Sequence, residues 1–104
     1  LIDLIRITSE LKEVIQPTYY FEIKDSDMDA IRDGRYDIML KMAFVEDKET
    51  KSAKVNVNGR EFNVYQTQRE FKKNLNDYVV EGNNAAKVMP ETTMEIMSLE
   101  VVKE

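Results

Sequence analysis

Cysteine and histidine are both missing from this chain, and with them every site that needs a thiolate or an imidazole. Thiol nucleophiles, Ser-His-Asp triads and zinc centres of the Cys/His kind are excluded. The missing cysteine leaves the compartment open, because a cytosolic protein and a disulfide-free surface protein look alike on this criterion. Tryptophan is absent too, so no indole is available to stack on a ligand. There are three glycines, and all fall at turn-like positions, which leaves no glycine-rich phosphate loop. No apolar run approaches the roughly 20 residues of a membrane helix, so no membrane insertion is expected. Fifteen basic against twenty acidic residues give a net charge of −5, which repels a phosphate backbone and argues against a nucleic-acid partner. The chain opens on Leu1 instead of methionine, which fits a segment excised or processed from a longer protein.

What is present is a strong hairpin. In Lys54-Val-Asn-Val-Asn-Gly-Arg-Glu-Phe-Asn-Val-Tyr65 the Asn58-Gly59 pair separates two arms that alternate in polarity, and a two-residue turn with positive φ at both positions suits that pair best. Val57 then faces Arg60, Val55 faces Phe62 and Ala53 faces Val64. Period-2 alternation recurs at Tyr19, Phe21, Ile23 and, most clearly, at Tyr36, Ile38, Leu40, Met42, Phe44, opposed by Asp37, Met39, Lys41 and Ala43. Gly82-Asn83-Asn84 has the composition of a turn. Ala86 and Val88 start a strand that Pro90 ends. In the last strand Met94 and Ile96 keep one phase and Leu99 and Val101 the other, which predicts a β-bulge near Met97 and Ser98. The fold class is all-β, an antiparallel β-sandwich of a single domain over residues 17–104.

Residues 1–16 read differently. Leu4, Ile7, Leu11 and Val14 are spaced by three and four, which predicts a short N-terminal α-helix stopped by Pro17. The same four residues fill a and d positions of two heptads. They are the expected oligomer interface, either packed on their own domain or ending a coiled-coil stalk of more than two strands, with a trimer favoured.

Val55-Asn-Val-Asn-Gly59, then Phe71, Val80-Glu-Gly-Asn83, Lys87-Val88 and the alternation from Ile96 to Val101 follow a common order. In that order the chain resembles the galactose-binding-like jelly-roll modules over residues 19–102. The resemblance implies a jelly-roll arrangement of the sandwich. It also implies a carbohydrate-binding accessory domain, or a module of phage fibres and cell-surface proteins. With tryptophan absent, ring faces for a sugar fall to Tyr20 and Tyr65, with Tyr19 and Tyr78 beside them in the reading. Asn56, Asn63, Asn83 and Asn84 are the matching hydroxyl partners. The bland alternative is that these tyrosines cover sheet faces and the asparagines shape turns.

Two acidic patterns bear on chemistry. Asp25, Asp27 and Asp29, with Asp33 beyond, have the alternate spacing of a calcium loop, but Ala30 and Tyr36 stand where an EF-hand wants glycine and glutamate. The competing reading is a solvated acidic turn before Gly34; otherwise no cofactor is expected. Glu95 and Glu100 approximate the carboxylate pattern of some jelly-roll glycosidases, but the bulge between them spoils the spacing. Met39 lies on the phase opposite Leu40 and Phe44 and would be exposed unless something covers it. The expected function is a non-enzymatic attachment or assembly module, the terminal domain of an oligomeric fibre or surface protein at a cell surface, outside the cell or on a virion. The alternative is a monomeric carbohydrate-binding accessory domain taking a surface glycan.

Overall fold

The computed structural model describes residues 3–12 and 14–104, with the side chains of 3–9 and 11 outside that description. In chain order the elements are β1 (Asp3–Leu11), β2 (Thr18–Ile23), α1 (Asp25–Arg32), β3 (Ile38–Phe44), β4 (Lys51–Val57), β5 (Arg60–Gln66), β6 (Glu70–Asn74), β7 (Gly82–Pro90) and β8 (Met94–Lys103). They form two four-stranded sheets, sheet A ordered β1-β8-β3-β6 and sheet B ordered β2-β7-β4-β5. Every pairing is antiparallel.

Alternation builds the core. Ile38, Leu40, Met42 and Phe44 from β3 and Leu99 and Val101 from β8 join Val55, Val57, Val64 and Val88 of sheet B in one buried cluster. Burying a side chain of this size contributes about 1.5–3 kcal/mol each, so the two sheets are held by their facing apolar phases. The hairpin has the register its sequence predicts, with Val57 opposite Arg60, Val55 opposite Phe62 and Ala53 opposite Val64. Asn58 and Gly59 have φ of 53° and 92°, the left-handed values that a mirror-image turn requires.

The bulge is where the phase slip puts it. Ala43 pairs with Ser98 while Phe44 pairs with Ile96, and across the other edge Ile7 pairs with Leu99 while Ser9 pairs with Ile96. The extra residue lets Met94 and Ile96 share the core with Leu99 and Val101.

The first correction concerns the N-terminus. The helix expected over residues 1–16 is not formed, because Asp3–Leu11 is a strand hydrogen-bonded along β8. The seam of Leu4, Ile7, Leu11 and Val14 therefore cannot be a coiled coil, and the stalk loses its support. The side chains of Leu4, Ile7 and Leu11 lie outside the described residues. Val14 follows the strand and is 89% exposed. Ile5, Ile7, Ser9 and Leu11 follow a period of two, and Ile5, Ile7 and Leu11 sit opposite the inward-facing Val101, Leu99 and Met94.

The second correction is at Asp25–Arg32, which is a helix and not an acidic turn. Asp25 and Asp27 lie in its first turn and Arg32 in its last, as the helix dipole favours. It ends in a paired C-cap: Arg35 N–H donates to the Ala30 carbonyl at 2.9 Å and Gly34 N–H to that of Ile31 at 3.1 Å. Gly34, at φ 73°, allows that geometry. A third difference is small. Gly82 has positive φ, but Asn83 and Asn84 already belong to β7, opposite Glu22 and Phe21.

Candidate binding surface

The outward face of sheet A carries a groove whose shape follows from side-chain size. Register places Glu70, Ala43 and Ser98 in one row across β6, β3 and β8, and Lys72, Lys41 and Glu100 in the next. Ala43 and Ser98 are short and directly opposed, while Lys41 and Lys72 beside them are long. The result is an open trough of about 270 Å³ lined by these residues with Glu70 and Glu100. A second hollow of about 200 Å³ shares Ala43 and Glu70 and reaches Arg69 and the bulge residue Met97. The bulge thus extends the trough, since it is what turns Met97 to the surface, where it is 45% exposed.

The two lysines of the trough share Glu104, whose carboxylate lies 3.0 Å from Lys41 Nζ and 2.8 Å from Lys72 Nζ. Hydrogen bonds from Lys72 and then Lys41 hold the Glu104 carboxyl below the usual glutamate range. Backbone hydrogen bonds between Asp37 and Glu104, each 2.9 Å, keep the segment in place.

The buried ionisable groups are committed to the scaffold. Asp27, 5% exposed, accepts hydrogen bonds from Tyr36 Oη at 2.5 Å and Lys103 Nζ at 2.7 Å. Burial pushes the Asp27 carboxyl up, but the Lys103 and Tyr36 bonds together with the lysine charge outweigh it and hold the group below its ordinary value. The same bond to Asp27 raises Lys103 against the opposing effect of burial. Tyr36 is raised by burial and by the Asp27 carboxylate. Lys51, 3% exposed, donates to the Glu46 and Thr67 carbonyls at 2.5 Å each and meets the Glu46 carboxylate at 3.3 Å. Glu46 in turn is lowered by the backbone N–H groups of Glu49 and Lys48.

These contacts decide several expectations from the sequence. Asp25, Asp27 and Asp29 ride on a helix, with Asp27 turned to Tyr36 and Lys103 while its neighbours stay exposed. Among the described residues no acidic cluster converges as a cation site would need. Glu95 and Glu100 sit opposite Glu10 and Arg6 on β1, four residues apart along that strand. That separation is about 13 Å, well beyond the spacing that glycoside hydrolysis uses.

Five of the six proposed sugar-contacting residues do share a surface, the outward face of sheet B: Tyr20, Asn56, Asn63, Tyr65 and Asn83. Tyr20 and Tyr65 are 73% and 76% exposed, but they stand on opposite edge strands and at opposite ends. Three strand spacings and a six-residue offset put them more than about 20 Å apart, too far to hold one sugar ring. Asn56 Oδ1 accepts the Gly59 N–H at 2.8 Å and shapes the turn. Asn84 is buried and saturated: its Oδ1 accepts from Asn58 and Val80, and its Nδ2 donates to the Val80 and Gly82 carbonyls. It fastens the loop from within. Of the other tyrosines, Tyr19 packs half-buried against the core and Tyr78 meets Phe62 edge-on at 5.4 Å. Met39 is half-buried, in register with the fully buried Val102.

The groove residues Lys41, Ala43, Glu70, Lys72 and Ser98 were not singled out by the sequence. Ala43 was legible as the small residue on the polar phase of β3. Its partner Ser98 was not, because their pairing depends on two strands more than fifty residues apart. In comparisons with known proteins, no family model and no curated protein sequence matches the chain.

Proposed function

We propose that this chain is a non-enzymatic attachment module with a jelly-roll fold, binding a surface glycan along the trough on sheet A. The strand orders β1-β8-β3-β6 and β2-β7-β4-β5 support the fold name, since eight antiparallel strands in two such sheets are what two Greek keys produce. They are also consistent with the galactose-binding-like resemblance and with a place on a cell or virion surface.

The observation that carries the function is the trough itself. Its floor is the short Ala43–Ser98 pair, and its walls alternate Lys41 and Lys72 with Glu70 and Glu100. Carboxylates and ammonium groups offer acceptors and donors to hydroxyls. The non-enzymatic reading draws on Asp27, Lys51 and Lys103 being spent on internal partners. The proposed mode uses side chains alone and no cofactor.

The test is a glycan array followed by titration calorimetry on the wild type and on Ala43→Leu. Filling the floor should abolish binding while leaving the melting temperature unchanged. A wild type that retains no glycan removes the carbohydrate reading.

A second reading, assembly with further copies of the chain, retains one observation. Val14 and Ile15, 89% and 46% exposed, stand in the connection before β2 as adjacent apolar side chains that a second copy would cover. Sedimentation should then show a concentration-dependent oligomer that Val14→Asp with Ile15→Asp dissociates, whereas a monomer throughout ends this reading.

A further inference from the structure

Asn58-Gly59 is a pair with intrinsic covalent chemistry. The Gly59 backbone nitrogen can attack Asn58 Cγ, forming an N–C bond as the side-chain amide leaves as ammonia. Water then opens the five-membered imide at either carbonyl, giving aspartate or isoaspartate. Glycine favours the attack because no side chain shields its nitrogen. In an exposed turn this pair ordinarily invites that conversion, and Asn58 is exposed.

Here both reacting groups are occupied. Asn58 Nδ2 donates to the Tyr78 carbonyl at 2.8 Å and to Asn84 Oδ1 at 2.7 Å, and Asn58 Oδ1 accepts the Ala85 N–H at 3.0 Å. The Gly59 N–H is held by Asn56 Oδ1 at 2.8 Å. A second contact at Asn58, from its own N–H to the Ala85 carbonyl at 3.0 Å, fixes the residue from the backbone side. Ring closure requires the carboxamide to swing back over its own chain, which breaks all three side-chain bonds and frees the glycine nitrogen from Asn56.

We infer that Asn58 is a latent modification site, an asparagine kept as its amide by the lock to Tyr78, Asn84 and Ala85 and converted when that lock opens. The conversion is also self-reinforcing. A carboxylate at position 58 faces Asn84 Oδ1 and the Tyr78 carbonyl, both acceptors, so two hydrogen bonds become two repulsions and the hold of the hairpin on Tyr78 and Asn84 is lost. A chain that converts while open thereby carries a permanent covalent mark.

Intact-mass analysis with peptide mapping tests this on the full chain in mildly alkaline buffer. Three samples are compared: native protein, protein unfolded in urea, and Asn84→Ala under native conditions. Conversion at Asn58 should be slower in the native chain than in the unfolded one by at least about tenfold, because in the fold it waits on local opening, and Asn84→Ala should fall between. Should Asn84→Ala fail to fold, a urea series on the wild type below its unfolding transition replaces it, with a conversion rate expected to rise along the series. Equal rates in native and unfolded chains overturn the proposal. So does a folded Asn84→Ala that converts no faster than wild type, or a rate that stays flat along the urea series.

Discussion

Asp27 on α1 and Lys103 on β8 meet at 2.7 Å at the margin of the core, with the Tyr36 hydroxyl on the same carboxylate oxygen. This contact fastens the single described helix to sheet A. The two partners are unequally placed, with side chains 8% and 22% exposed, so removing either strands a largely desolvated charge.

Lys103→Met should therefore destabilise the fold by about 3 kcal/mol, as for other buried pairs broken on one side. The double variant Asp27→Leu with Lys103→Met should recover much of that loss, because no charge is left alone. Urea unfolding of the four proteins in a double-mutant cycle measures both.

The same triad sets the pH response. The Asp27 carboxyl is lowered in the fold, so its contribution is present above the ordinary aspartate value of about 4 and is lost as pH falls through the folded value. Lys103 and Tyr36 are raised, so theirs is complete below about pH 10 and is lost as pH rises through their folded values. Stability should be flat between these limits and fall at both ends. Asp27→Asn should remove part of the acid limb in thermal melts followed across pH, with Glu46 and Glu104, also lowered, keeping the remainder.

Deleting Met97 removes the bulge and shifts one half of β8 by a residue. Either Met94 and Ile96 or Leu99 and Val101 must then leave the core, since a one-residue slip reverses every side chain. The expected cost is about 4 kcal/mol or more, larger than a single cavity. Met97→Ala, which keeps the extra residue, should cost under about 1 kcal/mol. Paired denaturation curves distinguish a requirement for the residue from one for its side chain.

At the hairpin, Asn58→Ala loses three side-chain hydrogen bonds and forces a non-glycine, non-asparagine residue to φ 53°. A loss of about 2–3 kcal/mol is expected. Gly59→Ala meets no atom at the new Cβ, so its cost should come from backbone strain alone and be about 1–2 kcal/mol. Chemical denaturation of both variants checks the order.

How much of this was legible depended on how local the cause was. The Asn58-Gly59 register, the alternation of Ile38 to Phe44 and the bulge at Met97 are written in adjacent residues and could be read directly. β1 is disguised because Leu4, Ile7 and Leu11 satisfy a helical spacing. Leu4 is the extra residue at a register slip between Asp3 and Ile5, which disguises the period-2 run from Ile5 to Leu11. The choice was made by β8, whose free edge lies ninety residues away and is invisible to any local window. α1 was missed because its aspartates resemble a loop, although Met28 and Ala30 turn toward the core and Gly34 marks its end. The trough could not be foreseen, since it exists only where β3 and β8 place Ala43 against Ser98.

The N-terminal strand carries the central claim, because it closes sheet A over β8 and replaces the stalk that helical spacing implied. Two-dimensional NMR on the labelled chain tests it most directly. Cross-strand backbone contacts from Arg6 to Glu100 and from Ile7 to Leu99 are predicted, with slowed amide exchange along both strands. Medium-range helical contacts through residues 3–11, with no contact to β8, would contradict it.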